Sequence, residues 1–275
     1  MRPMLELCDF VDQHSRLFVL SGAGISTDSG IPGYRDSEGL WKRSPPVLLR
    51  DFVSSPSTRR RYWARSLIGW PVVASARPNA AHTALARLDA QGYIEQLVTQ
   101  NVDGLHQRAG SSSVIELHGN LAAVVCLGCG ARFPRASIQD ALEAQNPSLR
   151  DAVAAAAPDG DADPEGADLA SFEVPQCSRC NGILKPDVVF FGEGVPRDRV
   201  EAALLTLRRS DAMLVIGSSL MVYSGYRFCE QARAMDKPIA AVNLGRTRAD
   251  PLLALKVEQP CAEALSAVVE RVAVA

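Results

Sequence analysis

Short apolar runs that stop abruptly in small or polar residues recur along this 275-residue chain, and no other feature narrows its fold as far. Residues 17–20 run into Ser21-Gly22-Ala23-Gly24, residues 94–99 into Gln100-Asn101, and residues 114–117 into His118-Gly119-Asn120. Residues 188–191 stop at Gly192-Glu193, 212–216 at Gly217-Ser218-Ser219, and 239–242 at Asn243-Leu244-Gly245. Helical stretches near 197–209 and 224–236 separate the last three. Continuous apolar runs alternating with helices specify an α/β fold with a Rossmann-like parallel sheet, whose strands are buried on both faces. In such a sheet ligands gather beyond the carboxyl ends of the strands. One polar ending would be a turn; six predict a shared cleft.

The first ending is half of a dinucleotide fingerprint. Gly22-x-Gly24 after a buried strand lets backbone N–H groups approach a phosphate. The third glycine is replaced by Thr27, and near position 45, where a second strand would end in an acid, stands Pro45-Pro46. The chain therefore opens as a nucleotide binder without a dehydrogenase continuation. Gly30-Ile31-Pro32-Gly33-Tyr34-Arg35-Asp36 is rich in turn formers and predicts a mobile loop. An amphipathic helix is expected over 3–15, a helical segment with one basic side over 47–77, and a helix capped by Asn79 in which His82 caps or packs.

At 47% hydrophobic and 22% charged residues with a net charge of −2, the chain has no basic footprint for nucleic acid. It has no 18-residue apolar run. Residues 1–13 have neither a signal nor a transit composition, so a cytoplasmic protein is expected. Of seven cysteines, four form Cys126-x-x-Cys129 and Cys177-x-x-Cys180. Two such turns complete a tetrahedral Zn²⁺ site with no open position and hence a structural role; a redox dithiol is the other chemistry open to them. The stretch between the pairs, including residues 152–157 and the acidic 158–166, reads as a solvated loop. Cys8, Cys229 and Cys261 read as buried small residues.

Taken together, Gly22-Ala23-Gly24-Ile25-Ser26, Gly30-Ile31-Pro32, the run from Thr99 to His106, His118-Gly119, the two cysteine pairs, the run from Leu184 to Glu193 and Gly217-Ser218-Ser219-Leu220 resemble the sirtuins, the NAD-dependent protein deacylases. The stretches Arg61-Tyr62-Trp63-Ala64-Arg65 and Val222-Tyr223-Ser224-Gly225-Tyr226-Arg227 look most like the class II branch, which includes a mitochondrial lipoamidase-type enzyme; a bacterial cytoplasmic member is expected. The resemblance divides the chain into a Rossmann-like NAD-binding domain (1–35, 78–120 and 184–275), a mobile loop with a helical insertion (36–77), and a smaller Cys₄ zinc-binding module (121–183).

The resemblance also implies the chemistry. NAD is a consumed co-substrate, acyl-lysine proteins or peptides are partners, and His118 acts as general base after nicotinamide leaves, with Asn101 and Asp103 holding the nicotinamide amide and the ribose. An unperturbed imidazole titrates near about 6.5, which suits that role. The NAD contacts implied are Gly22, Ala23, Gly24, Ser26, Thr27, Ile31, Pro32, Tyr34, Arg35, Gln100, Val102, Gly217, Ser218, Ser219, Asn243, Leu244, Gly245 and Cys261. Val189, Phe190, Phe191 and Gly192 are implied for the acylated substrate. Tyr62 and Arg65, three apart on one helix face, resemble the pair that binds an acyl carboxylate in desuccinylating sirtuins, which predicts acidic or bulky acyl groups. Two departures stand out: Gly33-Tyr34 where most sirtuins have Asp-Phe, and Ser224-Gly225 where many have a proline. Mono-ADP-ribosyl transfer to protein, or a non-catalytic NAD-sensing module, are the rival readings; His118, Asn101 and Asp103 together argue against a mere binder.

Overall fold

The computed structural model describes residues 2–42, 46–149, 156–157, 161–162 and 169–272. Helix α1 (Arg2–Gln13) leads into strand β1 (Leu17–Ser21), and a 3₁₀ turn over Ala23–Ser29 follows. Then come α2 (Leu49–Ser54), α3 (Pro56–Ser75), α4 (Ala80–Ala90), β2 (Ile94–Thr99), α5 (Leu105–Arg108) and β3 (Val114–Glu116). Strands β4 (Gly119–Cys126) and β5 (Arg132–Pro134), helix α6 (Arg135–Gln145), the two-residue strands β6 (Ala156–Ala157) and β7 (Asp161–Ala162), and β8 (Leu184–Val188) form the middle of the chain. The last part is α7 (Arg197–Arg209), β9 (Ala212–Ile216), α8 (Tyr223–Ala234), β10 (Ile239–Val242), β11 (Leu255–Val257) and α9 (Cys261–Val272).

Six strands form a wholly parallel sheet in the order β11-β10-β9-β1-β2-β3. The sheet is buried on both faces because successive side chains of one strand point oppositely. Leu17 and Val19 face the cluster under α1, α4 and α9, whereas Phe18 and Leu20 face the cluster under α7 and α8. The order reverses between β1 and β9, so the crevice beyond their carboxyl ends is the expected ligand site. There the chains touch: the Gly24 N–H donates to the Gly217 carbonyl at 2.7 Å, and a Cβ on Gly24 would lie 2.8 Å from that oxygen. Only glycine allows this approach.

A second sheet, β5-β4-β8, is antiparallel and packs with α3 and α6 around Phe52, Trp63, Leu142 and Phe190. The apolar run expected as a strand over 188–191 is not part of the parallel sheet. Leu184–Val188 pairs with β4, and Phe190 is buried because its ring meets those of Phe52 and Tyr62 at 5.1 Å. A short apolar run cannot reveal which surface buries it. The sixth parallel strand is β11, where Lys256 interrupts the apolar signal. The helical segment over 47–77 breaks at Ser55-Pro56, since proline disfavours a helical conformation in the residue before it; Ser55 instead caps α3 by accepting from the Thr58 N–H at 3.1 Å. Asn79 caps α4 as expected, with a twist: the His82 imidazole completes the capping box. Of the acidic loop over 152–166, most lies outside the described residues; β6 and β7 pair antiparallel.

Candidate active site

A cavity of about 750 Å³ opens beyond the carboxyl ends of β1 and β9. Its floor is the glycine turn Gly22, Ala23 and Gly24 with Gly217, Ser218 and Ser219, and its far wall is formed by Phe190, Phe191 and Gly192. That volume suits a nucleotide-sized ligand. The sequence-derived residues Thr27, Tyr34, Arg35, Gln100, Asn101, Val102, His118, Val189, Asn243, Leu244 and Cys261 also line it. Seven strand-end or loop segments thus converge on one space.

His118 lies between β3 and β4, and its ring is held at both nitrogens. Nδ1 is 2.9 Å from the Gln100 carbonyl and Nε2 is 2.7 Å from Ser224 Oγ. A carbonyl only accepts, so Nδ1 carries the hydrogen, Nε2 carries the lone pair, and Ser224 donates to it. Burial pushes this imidazole down to about 4; Arg199 and Arg227 push the same way, while the Gln100 bond opposes them. The free residue's value near 6.5, expected from sequence, is therefore replaced by that of a base neutral across the physiological range.

Two hydrogen-bonded chains fix the loop after β2. Ser26 Oγ donates to Asp103 at 2.7 Å and accepts from the Asn101 amide at 3.0 Å. His82, whose Nδ1 accepts from the Asn79 N–H, reaches Ser26 through Nε2 at 3.5 Å. On the other side, His106 meets Ser21 Oγ at 2.8 Å, Ser21 donates to Thr99, and Thr99 Oγ1 accepts the Asn101 N–H. Burial pushes His82 down to about 4 and His106 to about 3, so both stay neutral inside these chains.

Ser26 and Asp103 stand behind the lining, not on it, and Ile31 is packed in the second core cluster. Pro32 and Gly245 are likewise absent from the lining. Arg35 stacks its guanidinium 3.9 Å above Trp41 and donates to the Gly39 carbonyl. Tyr62 packs its ring on Phe190, and neither it nor Arg65 lines the cavity. Burial pushes the Cys261 thiol up to about 12, so it is no thiolate at neutral pH. Trp41, Lys42, Met221, Ser224 and Arg227 line the cavity without having been singled out as site residues. The lone tryptophan amid Ser37, Gly39 and Leu40 was one available signal for the first.

Cys126, Cys129, Cys177 and Cys180 bring their sulfurs within 4.8 Å of one another in the smaller sheet's turn region. The Gly128 N–H points at Cys126 Sγ and the Arg179 N–H at Cys177 Sγ, and the backbone N–H bonds hold the Cys126 thiol down at about 6. Four converging soft donors fit zinc, and a site closed by four protein ligands is structural. Cys8, Cys229 and Cys261 are buried singly.

A doubly wound sheet, a glycine turn at its switch point, a neutral histidine in the same cavity and a four-cysteine cluster define a nucleotide-using α/β enzyme with a metal-stapled module. The Sir2 family profile matches residues 22–224, and the chain belongs to that family. It is 62% identical over 260 residues to the NAD-dependent protein deacetylase 2 of Bradyrhizobium diazoefficiens, covering 94% of this chain and 95% of that one. To the NAD-dependent protein deacetylase of Xanthomonas campestris pv. campestris it is 61% identical over 260 residues, 94% of this chain and 89% of the other. Among solved structures, Sir2 with a p53 peptide and NAD+ is similar at a TM-score of 0.81 and 32% identity, covering 99% of both chains.

Proposed function

We propose that this chain is an NAD-dependent protein lysine deacylase that moves the acyl group of acyl-lysine onto ADP-ribose and releases nicotinamide. The observation that carries this reading is His118: its Nδ1–H is spent on the Gln100 carbonyl, so its one basic nitrogen, Nε2, belongs to the cavity that also holds the glycine turn. NAD, when bound, supplies the sugar that accepts the acyl group and the nicotinamide that departs. The Gly22 and Gly24 N–H groups are spent on the Ile216 and Gly217 carbonyls and the Thr27 hydroxyl on the Gly24 carbonyl, so the glycines give the turn its close approach, while Ala23, Ser218 and Ser219 offer N–H and hydroxyl donors for its phosphates. Asn101 presents an amide that can both donate and accept, while Asp103, behind the lining, holds Ser26 and through it orients Asn101. Asn243 and Leu244 bound the opposite end of the cavity with Cys261. His118 receives a proton at Nε2 and, with its hydrogen on Nδ1 retained, becomes an imidazolium.

Val189, Phe190, Phe191 and Gly192 line the wall against which an acyl-lysine would lie. Tyr62 supports Phe190 from behind, and with Arg65 it makes that end of the site the proposed reader of acidic or bulky acyl groups. Cys126, Cys129, Cys177 and Cys180 would hold zinc as a staple for the smaller module. Among the described residues no helix is long and apolar enough to cross a membrane. A cytoplasmic setting is the proposed one, supported by seven free cysteines of which four are grouped for metal.

Incubation with an acyl-lysine peptide and NAD tests the reading. Free nicotinamide and O-acyl-ADP-ribose are the expected products, and ADP-ribosylated protein without acylated sugar would select the transferase alternative. His118→Tyr is expected to abolish turnover while NAD affinity largely remains; undiminished turnover would overturn the assignment.

A further inference from the structure

His118 has no vacant nitrogen. Its Nδ1–H is held by Gln100, and its lone pair already accepts from Ser224 Oγ at 2.7 Å. The serine is the second residue of α8 and lines the cavity. Its position is locked by its neighbour: Gly225 lies so close to Gln100 that a Cβ would sit 2.7 Å from that residue's Cδ, and the Gln100 amide in turn donates to Ser218 Oγ at 2.8 Å and to the Ser21 carbonyl. One residue, Gln100, thus sets both the imidazole and the helix start that presents the hydroxyl. Arg227, one turn further along α8, also lines the cavity, and its Nε is buried without a partner. Among the described residues no carboxylate is hydrogen-bonded to this imidazole, and Ser224 is the one side chain on its basic nitrogen.

We infer that Ser224 is the hydroxyl through which His118 takes its proton. A sugar hydroxyl in the cavity gives its proton to Ser224 Oγ as the Ser224 O–H proton passes to His118 Nε2. One O–H bond breaks and one forms at the serine, an N–H bond forms on the imidazole, and the electron pair stays on the sugar oxygen for attack on the acyl carbon. Serine ends neutral and unchanged; histidine ends as imidazolium. The step rests on the reading of His118 as the base.

The first test uses the ligand-free protein, with the imidazole nitrogens observed by NMR. In wild type the expected signature is Nδ1–H with a hydrogen-bonded Nε2; in Ser224→Ala, Nε2 is expected to move to the position of a free lone pair while Nδ1 stays. Unchanged Nε2 shifts would overturn the inference. The second test separates two rates. Because nicotinamide leaves before the base acts, exchange of labelled nicotinamide into NAD should stay within about twofold in Ser224→Ala, whereas deacylation falls about tenfold or more. Ser224→Thr keeps a hydroxyl and is expected to restore deacylation. Unimpaired deacylation in Ser224→Ala, or equal loss of both rates that threonine does not restore, would overturn it. If His118→Ala itself deacylates at the wild-type rate, the base reading fails and takes the relay with it.

Discussion

Ser26 and Asp103 meet across 2.7 Å, hydroxyl to carboxylate, joining the turn after β1 to the loop after β2. The same hydroxyl accepts from Asn101. One small side chain therefore orients both polar groups assigned to the nicotinamide end. Removing it leaves the partly buried Asp103 carboxylate with the Leu105 N–H but without its hydroxyl donor, a loss of about 1.5–3 kcal/mol for a hydrogen bond to a charged group. Ser26→Ala is expected to weaken NAD binding about ten- to hundredfold by calorimetry and to lower the thermal midpoint of the ligand-free protein by several degrees. Wild-type affinity in that variant would separate Ser26 from the site.

Three buried imidazoles make the fold sensitive to acid. In the unfolded chain histidines bind protons near about 6.5; in the folded protein burial lowers His82 and His118 to about 4 and His106 to about 3. Below pH about 6.5 the unfolded state therefore holds more protons, so stability is full above that value and is lost as the pH falls towards 4. Each group contributes at most about 1.4 kcal/mol per pH unit in that window. Urea unfolding at pH 7.5, 6 and 5 is expected to show a steadily falling midpoint, and a flat series would contradict the neutral buried assignments. By the same token the acid limb of kcat/KM should lie below pH 5, away from 6.5.

The cysteine cluster gives a direct count. Metal analysis of the purified protein is expected to return one zinc per chain. Cys177→Ser should lose it and expose the 121–183 segment to protease. A protein with full activity and no bound metal would remove zinc from the account.

Acyl preference is the fourth expectation. With succinyl-, glutaryl-, hydroxymethylglutaryl-, lipoyl- and acetyl-lysine peptides, Arg65→Ala should depress the acidic acyl groups about tenfold relative to acetyl, since a guanidinium binds carboxylate bidentately. Relative rates that do not move would show that Arg65 only supports α3.

How much of this was legible in the sequence depended on where the determining contacts lie. Leu17 to Ser21 and Ala212 to Ile216 declared themselves because burial on two faces demands an unbroken apolar run. His118 declared itself by ending such a run. Phe190 misled, because its apolar neighbours answer to α2 and α3 and not to the parallel sheet. Leu255–Val257 escaped notice, being three residues long with a lysine in the middle. Ser224 was visible as a departure from the family's proline, but its partner stands 106 positions earlier, and only the fold brings hydroxyl and imidazole together. The low titration of His118 has the same origin, since burial is a property of the assembled cavity.

The chain enters the smaller sheet at Gly119 and leaves it at Val188, and these two residues are paired neighbours. The intervening segment passes through this doorway but is anchored beyond it as well: Arg135 and Gln139 of α6 donate to the Ser66 and Leu67 carbonyls of α3, and Phe172 joins Trp63 and Leu67 in one core. His118 stands on the threshold, its carbonyl accepting the Val189 N–H at 2.8 Å just outside. A change in how that module sits on α3 therefore reaches His118 through its own backbone.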